Sequence, residues 1–315
     1  GPIERANDLL PQFKIDRKFD YSTAMDGMRQ ILWGMFKKVV VADNAALIVD
    51  SIFAHYESAS PLILFAGAGF FFVQVYGDFS GYSDIAIGTA KLLGYKLSVN
   101  FASPFFSRSF SEFWRRWHIT LNTWFRDYVY FPLGGSRQGK LKHLFNISVV
   151  FVVCGFWHGA AWTFIIWGFL NAIYFVVEQR FNLVPENQTP LENLRFPKPG
   201  DVFQMLVVFS AIAVSLVFFR SPDLGSALDY FAEMKDFFGP NNYEISNSTK
   251  NVVDFYGVFI YILIMLLFEW KNKANSHGLQ VISKYRVVRL SAYFFFTLLC
   301  LHYFYGDNAF VYFQF

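Results

Sequence analysis

Six apolar runs, at 61–76, 145–157, 160–177, 202–219, 252–268 and 290–305, alternate with charged or polar segments, and this alternation leaves the chain few ways to fold. Inside lipid the backbone must satisfy its own hydrogen bonds, so such runs become helices. Composition agrees: 16% of the 315 residues are charged and 41 are Phe, where a soluble chain would carry about 25% charge. The expected fold is all-α, a polytopic transmembrane helical bundle.

The loops carry a topology. Residues 107–143 hold Arg108, Arg115, Arg116, Arg126, Arg137, Lys140 and Lys142 against Glu112 and Asp127, which places them on the cytoplasmic face. Residues 221–251 carry five acids and two bases and are expected outside. Residues 269–289 carry Lys271, Lys273, Lys284, Arg286 and Arg289 against Glu269 and are expected inside. Residues 1–28 read as a cytoplasmic-side or interfacial segment, and 29–54 as an interfacial or broken helix interrupted by Lys37, Lys38 and Asp43. The run 61–76 passes into GDFSGYSD, where Asp78, Gly81, Ser83 and Asp84 suggest irregular polar backbone lining a cavity. Asp78, Asp84 and Asp127 read as structural partners for cations or backbone. Cys154 and Cys300 lie in apolar runs and read as core residues. Sequons at Asn146, Asn187 and Asn247 carry no weight in these settings.

Two histidines stand out. His118 lies in FWRRWHITLNTWF, and a single helix there puts Trp114 and Asn122 one turn away on either side. An interfacial histidine among belt aromatics and a polar group aimed into a cavity are equal alternatives. His158 follows a 13-residue apolar run that reaches only about 20 Å, short of the roughly 30 Å hydrocarbon core. That places it at membrane depth, where an ionisable group is a candidate functional residue. Gly155 and Gly159 flank it at a spacing that lets another helix approach closely. A neutral imidazole there suits a general base acting on a hydroxyl. Phosphate-loop, zinc-protease and nucleophile-elbow motifs are missing, and no carboxylate or thiol pattern completes a metal site with the histidines.

Four segments together resemble the membrane-bound O-acyltransferase superfamily, in particular its bacterial alginate O-acetyltransferase-like branch. They are GPIERANDLLPQF, YGDFSGYSDIAIGTAKLLGY, NFASPFFSRSFSEFWRRWHITLNTWFRDYVYFPLGGSRQGK and CGFWHGAAWTFIIWGFLNAIY. The resemblance covers the first 180 residues or so and implies a catalytic core over 1–181, followed by further transmembrane helices over 182–315. It also implies interfacial and re-entrant helices around a tunnel. The Gly-Pro start, without Met or leader, fits a cleaved tag or a fragment; length and resemblance favour an N-terminally truncated piece of a longer membrane protein.

The implied activity is O-acyl transfer, with His158 as general base and His118 orienting or polarising the second substrate. Trp114, Trp117, Trp157 and Trp162 would wall the tunnel and exclude water, and Asn122 is the candidate oxyanion donor. Relatives carry a further histidine where this chain has Asn171. Most of the basic set reads as topology signals and contacts to the lipid bilayer. A few of them, Arg115, Arg116 and Arg126, would hold donor phosphates. No nucleic acid, bound cofactor or metal is expected; the donor implied is acetyl-CoA, and the acceptor an extracytoplasmic polysaccharide such as an alginate-like exopolysaccharide or cell-wall glycan. An extracytoplasmic acetyltransferase partner and a multi-pass place in the bacterial inner membrane complete the expectation. The rivals are D-alanyl transfer to teichoic acid, and a non-catalytic polysaccharide transporter or scaffold.

Overall fold

The computed structural model describes residues 2–183, 189–235 and 250–304, with the backbone alone over 250–255. The sequons at Asn187 and Asn247, residues 236–249 of the acidic loop and the end of the last apolar run lie outside the described residues. Among the described residues the regular structure is entirely helical, in agreement with the all-α expectation. The helices are α1 (Ala6–Leu9), α2 (Tyr21–Met35), α3 (Asp43–Ala54), α4 (Pro61–Leu92), α5 (Phe110–Arg116), α6 (Ile119–Phe125), α7 (Lys140–His158), α8 (Trp162–Arg180), α9 (Pro199–Arg220), α10 (Leu224–Lys235), α11 (Lys250–Lys271) and α12 (Arg286–Tyr303). Among the described residues, α4, α7 and α9 are long and apolar enough to cross a bilayer. The other expected spans, at 160–177, 252–268 and 290–305, coincide with helices α8, α11 and α12, which are not among the helices that pass that test over the described residues.

Helix α4 is the axis of the molecule. The irregular backbone expected after Tyr76 is absent, and the helix runs unbroken for 32 residues, about 48 Å. Charge pairing explains its continuity. Between α2 and α3 the chain winds as a π-helix over Phe36–Ala42, all of it buried. Lys37 reaches Asp84 at 2.7 Å and Ser80 at 2.8 Å, and Lys38 reaches Asp78 and Asp43, each at 2.7 Å. Each charge on α4 therefore has a partner, and the helix need not open to find water. The segment 29–54 is thus interrupted as expected, but its interruption lies in the core rather than at an interface.

Helices α2 and α4 meet backbone to backbone at two places seven residues apart. A Cβ on Gly34 would stand 2.5 Å from the Gly81 carbonyl oxygen, and one on Gly27 would stand 2.7 Å from that of Gly88. A similar close contact joins α7 to α8, where Cβ atoms on Gly155 and Gly168 would each stand 2.4 Å from a backbone carbonyl oxygen across the interface. Gly155 is the glycine expected to allow close approach, and its partner is Gly168.

Candidate active site

The segment containing His118 is two short helices and not one. Residue 118 has φ +44° and ψ +53°, a left-handed conformation that separates α5 from α6. For a residue with a Cβ this costs about 1–3 kcal/mol and persists only where neighbours enforce it. The enforcing residues are two asparagines. Fully buried Asn100 accepts the Ile119 N–H on its backbone oxygen at 2.9 Å. Its side-chain oxygen accepts from Thr120 Oγ1 at 2.9 Å and faces His118 Nδ1 at 3.0 Å. Asn122 donates its side-chain N–H groups to the carbonyls of Trp114 at 2.6 Å and Trp117 at 2.5 Å, capping α5. Those donors are committed, so Asn122 holds the turn and has no N–H to offer an oxyanion.

The network around Asn100 fixes a tautomer. Its Nδ2 donates to Ser83 Oγ at 3.3 Å, and its Oδ1 receives the Thr120 backbone N–H, which can only donate. The Thr120 hydroxyl already accepts from the Ile3 N–H at 3.0 Å and so donates to the same oxygen. The remaining contact to that oxygen, from His118 Nδ1, must then be a donation. Neutral His118 carries its proton on Nδ1 and keeps its Nε2 lone pair. The N-terminal segment supports this arrangement through Ile3 and through Arg5, which pairs with Asp127 at 2.8 Å.

The start of α5 is equally constrained. Ser109 Oγ caps the Glu112 N–H at 3.0 Å. Buried Glu178, at the end of α8, accepts from the Ser111 N–H at 3.0 Å and from the Phe110 N–H. Glu112 pairs with Arg108 at 3.2 Å and with Arg116 at 3.3 Å. Arg116 also pairs with Glu192 at 2.8 Å.

His158 is the last residue of α7, turned inward by the tight α7–α8 contact. Its ring meets Trp157, Trp167 and Phe219 edge to face, at centroid distances of 4.9, 5.3 and 5.1 Å.

A mainly apolar cavity of about 50 Å³ joins the two histidines. Helix α4 contributes Asp78 and Phe79, and α9 contributes Leu216 and Phe219. Trp114, Trp117 and Asn122 line it as well, so five of the sequence candidates come together. Trp157 and Trp162 are 47% and 70% exposed and do not line it. Arg115 and Arg126 are exposed, whereas Arg116 is buried among its acids. Sequence reasoning missed Asn100 and Trp167. Asn100 opens the third of the four resembling segments, in irregular backbone, and its type and spacing do not single it out there. Trp167 had a signal, because Thr163, Trp167, Gly168 and Asn171 form the buried face of α8, and small and polar residues mark the inward face of a membrane helix. Asn171 is fully buried and donates to the Trp167 carbonyl at 2.8 Å.

Two further cavities follow along α4. One, lined by Tyr76, Ser80, Ser83, Asn100 and Glu269, lies behind Asn100. The next, of about 650 Å³, shares Ile87, Val99 and Ser276 with it and is rimmed by Arg17, Lys18, Lys91 and Lys96.

The membrane-bound O-acyltransferase family matches residues 1–220. A peptidoglycan O-acetyltransferase of Helicobacter pylori is 37% identical over 257 residues, which is 81% of this chain and 47% of that protein. A probable alginate O-acetylase AlgI of Azotobacter vinelandii is 36% identical over 239 residues, 75% of this chain and 45% of its own length. A teichoic acid D-alanyltransferase of Bacillus subtilis is 30% identical over 185 residues, 55% of this chain and 46% of that protein. The chain thus spans a little under half the length of these relatives. With the greater part of its length matched and two histidines facing one buried cavity, the chain belongs to the membrane-bound O-acyltransferase family.

Proposed function

We propose that the complete protein is a multi-pass enzyme of the bacterial inner membrane that transfers an acetyl group from a cytosolic thioester to hydroxyls of an extracytoplasmic polysaccharide. The observation that carries this reading is the meeting of His118 and His158, 40 positions apart in sequence, on one apolar cavity. About 50 Å³ suits a group of a few heavy atoms, as acetyl is.

In this reading His158 takes the proton of the acceptor hydroxyl. His118, with its proton held by Asn100, presents Nε2 as an acceptor that orients the second substrate. The aromatic walls keep water from hydrolysing the thioester. Acetyl-CoA is the donor proposed. The succession of cavities along α4 supports entry from the rim of Arg17, Lys18 and Lys96, where its phosphates would meet cations. A separate extracytoplasmic acetyltransferase is the proposed partner for final transfer to the sugar. The relative from Bacillus subtilis favours a second reading, D-alanyl transfer, with lower identity and coverage.

The test is the O-acetyl content of extracellular polysaccharide in cells carrying the complete gene, compared with His158→Ala and His118→Ala at matched insertion. A loss of 10²-fold or more, on the order expected for a general base, is the expected result for His158→Ala. Unchanged acetylation in both variants would overturn the catalytic reading. D-alanyl ester in place of acetyl would select the second.

A further inference from the structure

Two side chains on the cavity wall have unused polar groups. Trp114 and Trp167 both line the space between the histidines, and the buried indole N–H of each has no hydrogen-bond partner. Their rings cross at 73° with centroids 6.1 Å apart, and the Trp167 ring meets that of His158 at 5.3 Å. Trp167 is 5% exposed. An indole has this one donor and no acceptor. Leaving it unpaired in an apolar interior is costly, and phenylalanine would avoid that cost while filling much of the same space. Among the other side-chain N–H groups near the cavity, those of Asn122 and His118 are committed. Asn122 caps α5, and His118 Nδ1 is held by Asn100.

We propose that the indole N–H groups of Trp114 and Trp167 hold the carbonyl oxygen of the acyl group and the negative charge that develops on it. The inference rests on the acyl-transfer reading above. The acceptor hydroxyl oxygen forms a bond to the thioester carbonyl carbon while its proton passes to the His158 imidazole. The carbonyl π pair moves onto oxygen, where the two indoles donate to it. As that pair returns, the carbon–sulfur bond breaks and the thiolate takes the proton from the imidazolium. Donors already fixed in place need no reorganisation as charge appears, which is where such groups gain their effect.

The test uses the complete protein in growing cells, with expression low enough that ester scales with enzyme. Trp167→Phe, Trp114→Phe and the double variant are compared with wild type and His158→Ala. Ester accumulation per inserted molecule and the thermal midpoint of purified protein are read for each. The expected result for Trp167→Phe is a fall of about 10–10³-fold in rate with the midpoint held, and a larger fall in the double variant. A purely structural role would lower rate and midpoint together, and that outcome overturns the inference. So do rates within about twofold of wild type. If His158→Ala loses ester while both tryptophan variants keep it, only this inference fails. If His158→Ala keeps ester, or wild type makes none, the acyl-transfer reading itself fails.

Discussion

The side-chain carbonyl of Asn100 holds Nδ1 of His118 at 3.0 Å and so decides which imidazole nitrogen keeps a lone pair. The same oxygen takes both donors of Thr120. Replacing Asn100 with Leu should therefore have two effects. Stability should fall by about 1–3 kcal/mol, because buried donors are stranded. Ester formation should fall on the order of 10²-fold beyond any loss of folded protein, because His118 is free to take the other tautomer. Activity per inserted molecule in Asn100→Leu checks this, and an unchanged value contradicts it.

The pair Lys37–Asp84 is buried on both sides and 2.7 Å apart. Lys37→Met alone leaves a carboxylate in the core and should destabilise by about 3–5 kcal/mol. Lys37→Met with Asp84→Leu should recover most of that loss. Thermal unfolding of the three proteins in detergent tests the pairing; a double variant no better than the single one counts against it.

Alanine at Gly155 should separate α7 from α8, because its Cβ would stand 2.4 Å from the Phe164 carbonyl oxygen. That oxygen is backbone and cannot swing aside. A cost of about 1–3 kcal/mol is expected, with His158 displaced from Trp167. The expected signature is loss of ester formation in Gly155→Ala larger than its loss of folded protein. Gly200→Ala, where nothing lies within 4 Å of the added carbon, is the matched control.

Outside the spans, Asp26 ties α2 to the loop before α12. Its carboxyl is held well below the ordinary range, first by the hydrogen bond from His277 and then by Lys91. A depressed value means that the ionised form favours the folded state. The contribution is complete above the ordinary carboxylate value of about 4 and is lost as pH falls through the lower folded value. Stability should thus decline below pH about 4, and Asp26→Asn should flatten that decline while lowering stability near neutrality. Unfolding midpoints across that range decide it.

The helices and their apolar character could be read from sequence, because hydropathy and helical length are local properties. His158 was singled out for a local reason too, as a polar residue after a short apolar run, and the structure puts it on the cavity wall. The expected break in α4 failed on Asp78 and Asp84. Sequence shows two acids in an apolar helix, but not that Lys37 and Lys38 stand beside them. Asn122 does line the cavity, but its N–H groups serve the carbonyls of Trp114 and Trp117, which only the turn at His118 reveals.

By itself, then, the sequence determined an all-helical membrane bundle and the polar residue types available to a buried site. Tertiary structure decided which of them meet. Trp157 and Trp162 face outward while Trp167 and Trp114 face the cavity, and Asn100 joins the site from irregular backbone. The physical reason is that local spacing places a side chain on its own helix, whereas contact across helices depends on how closely the backbones pack. Here that closeness rests on glycine pairs such as Gly155 and Gly168, whose partners lie on other helices.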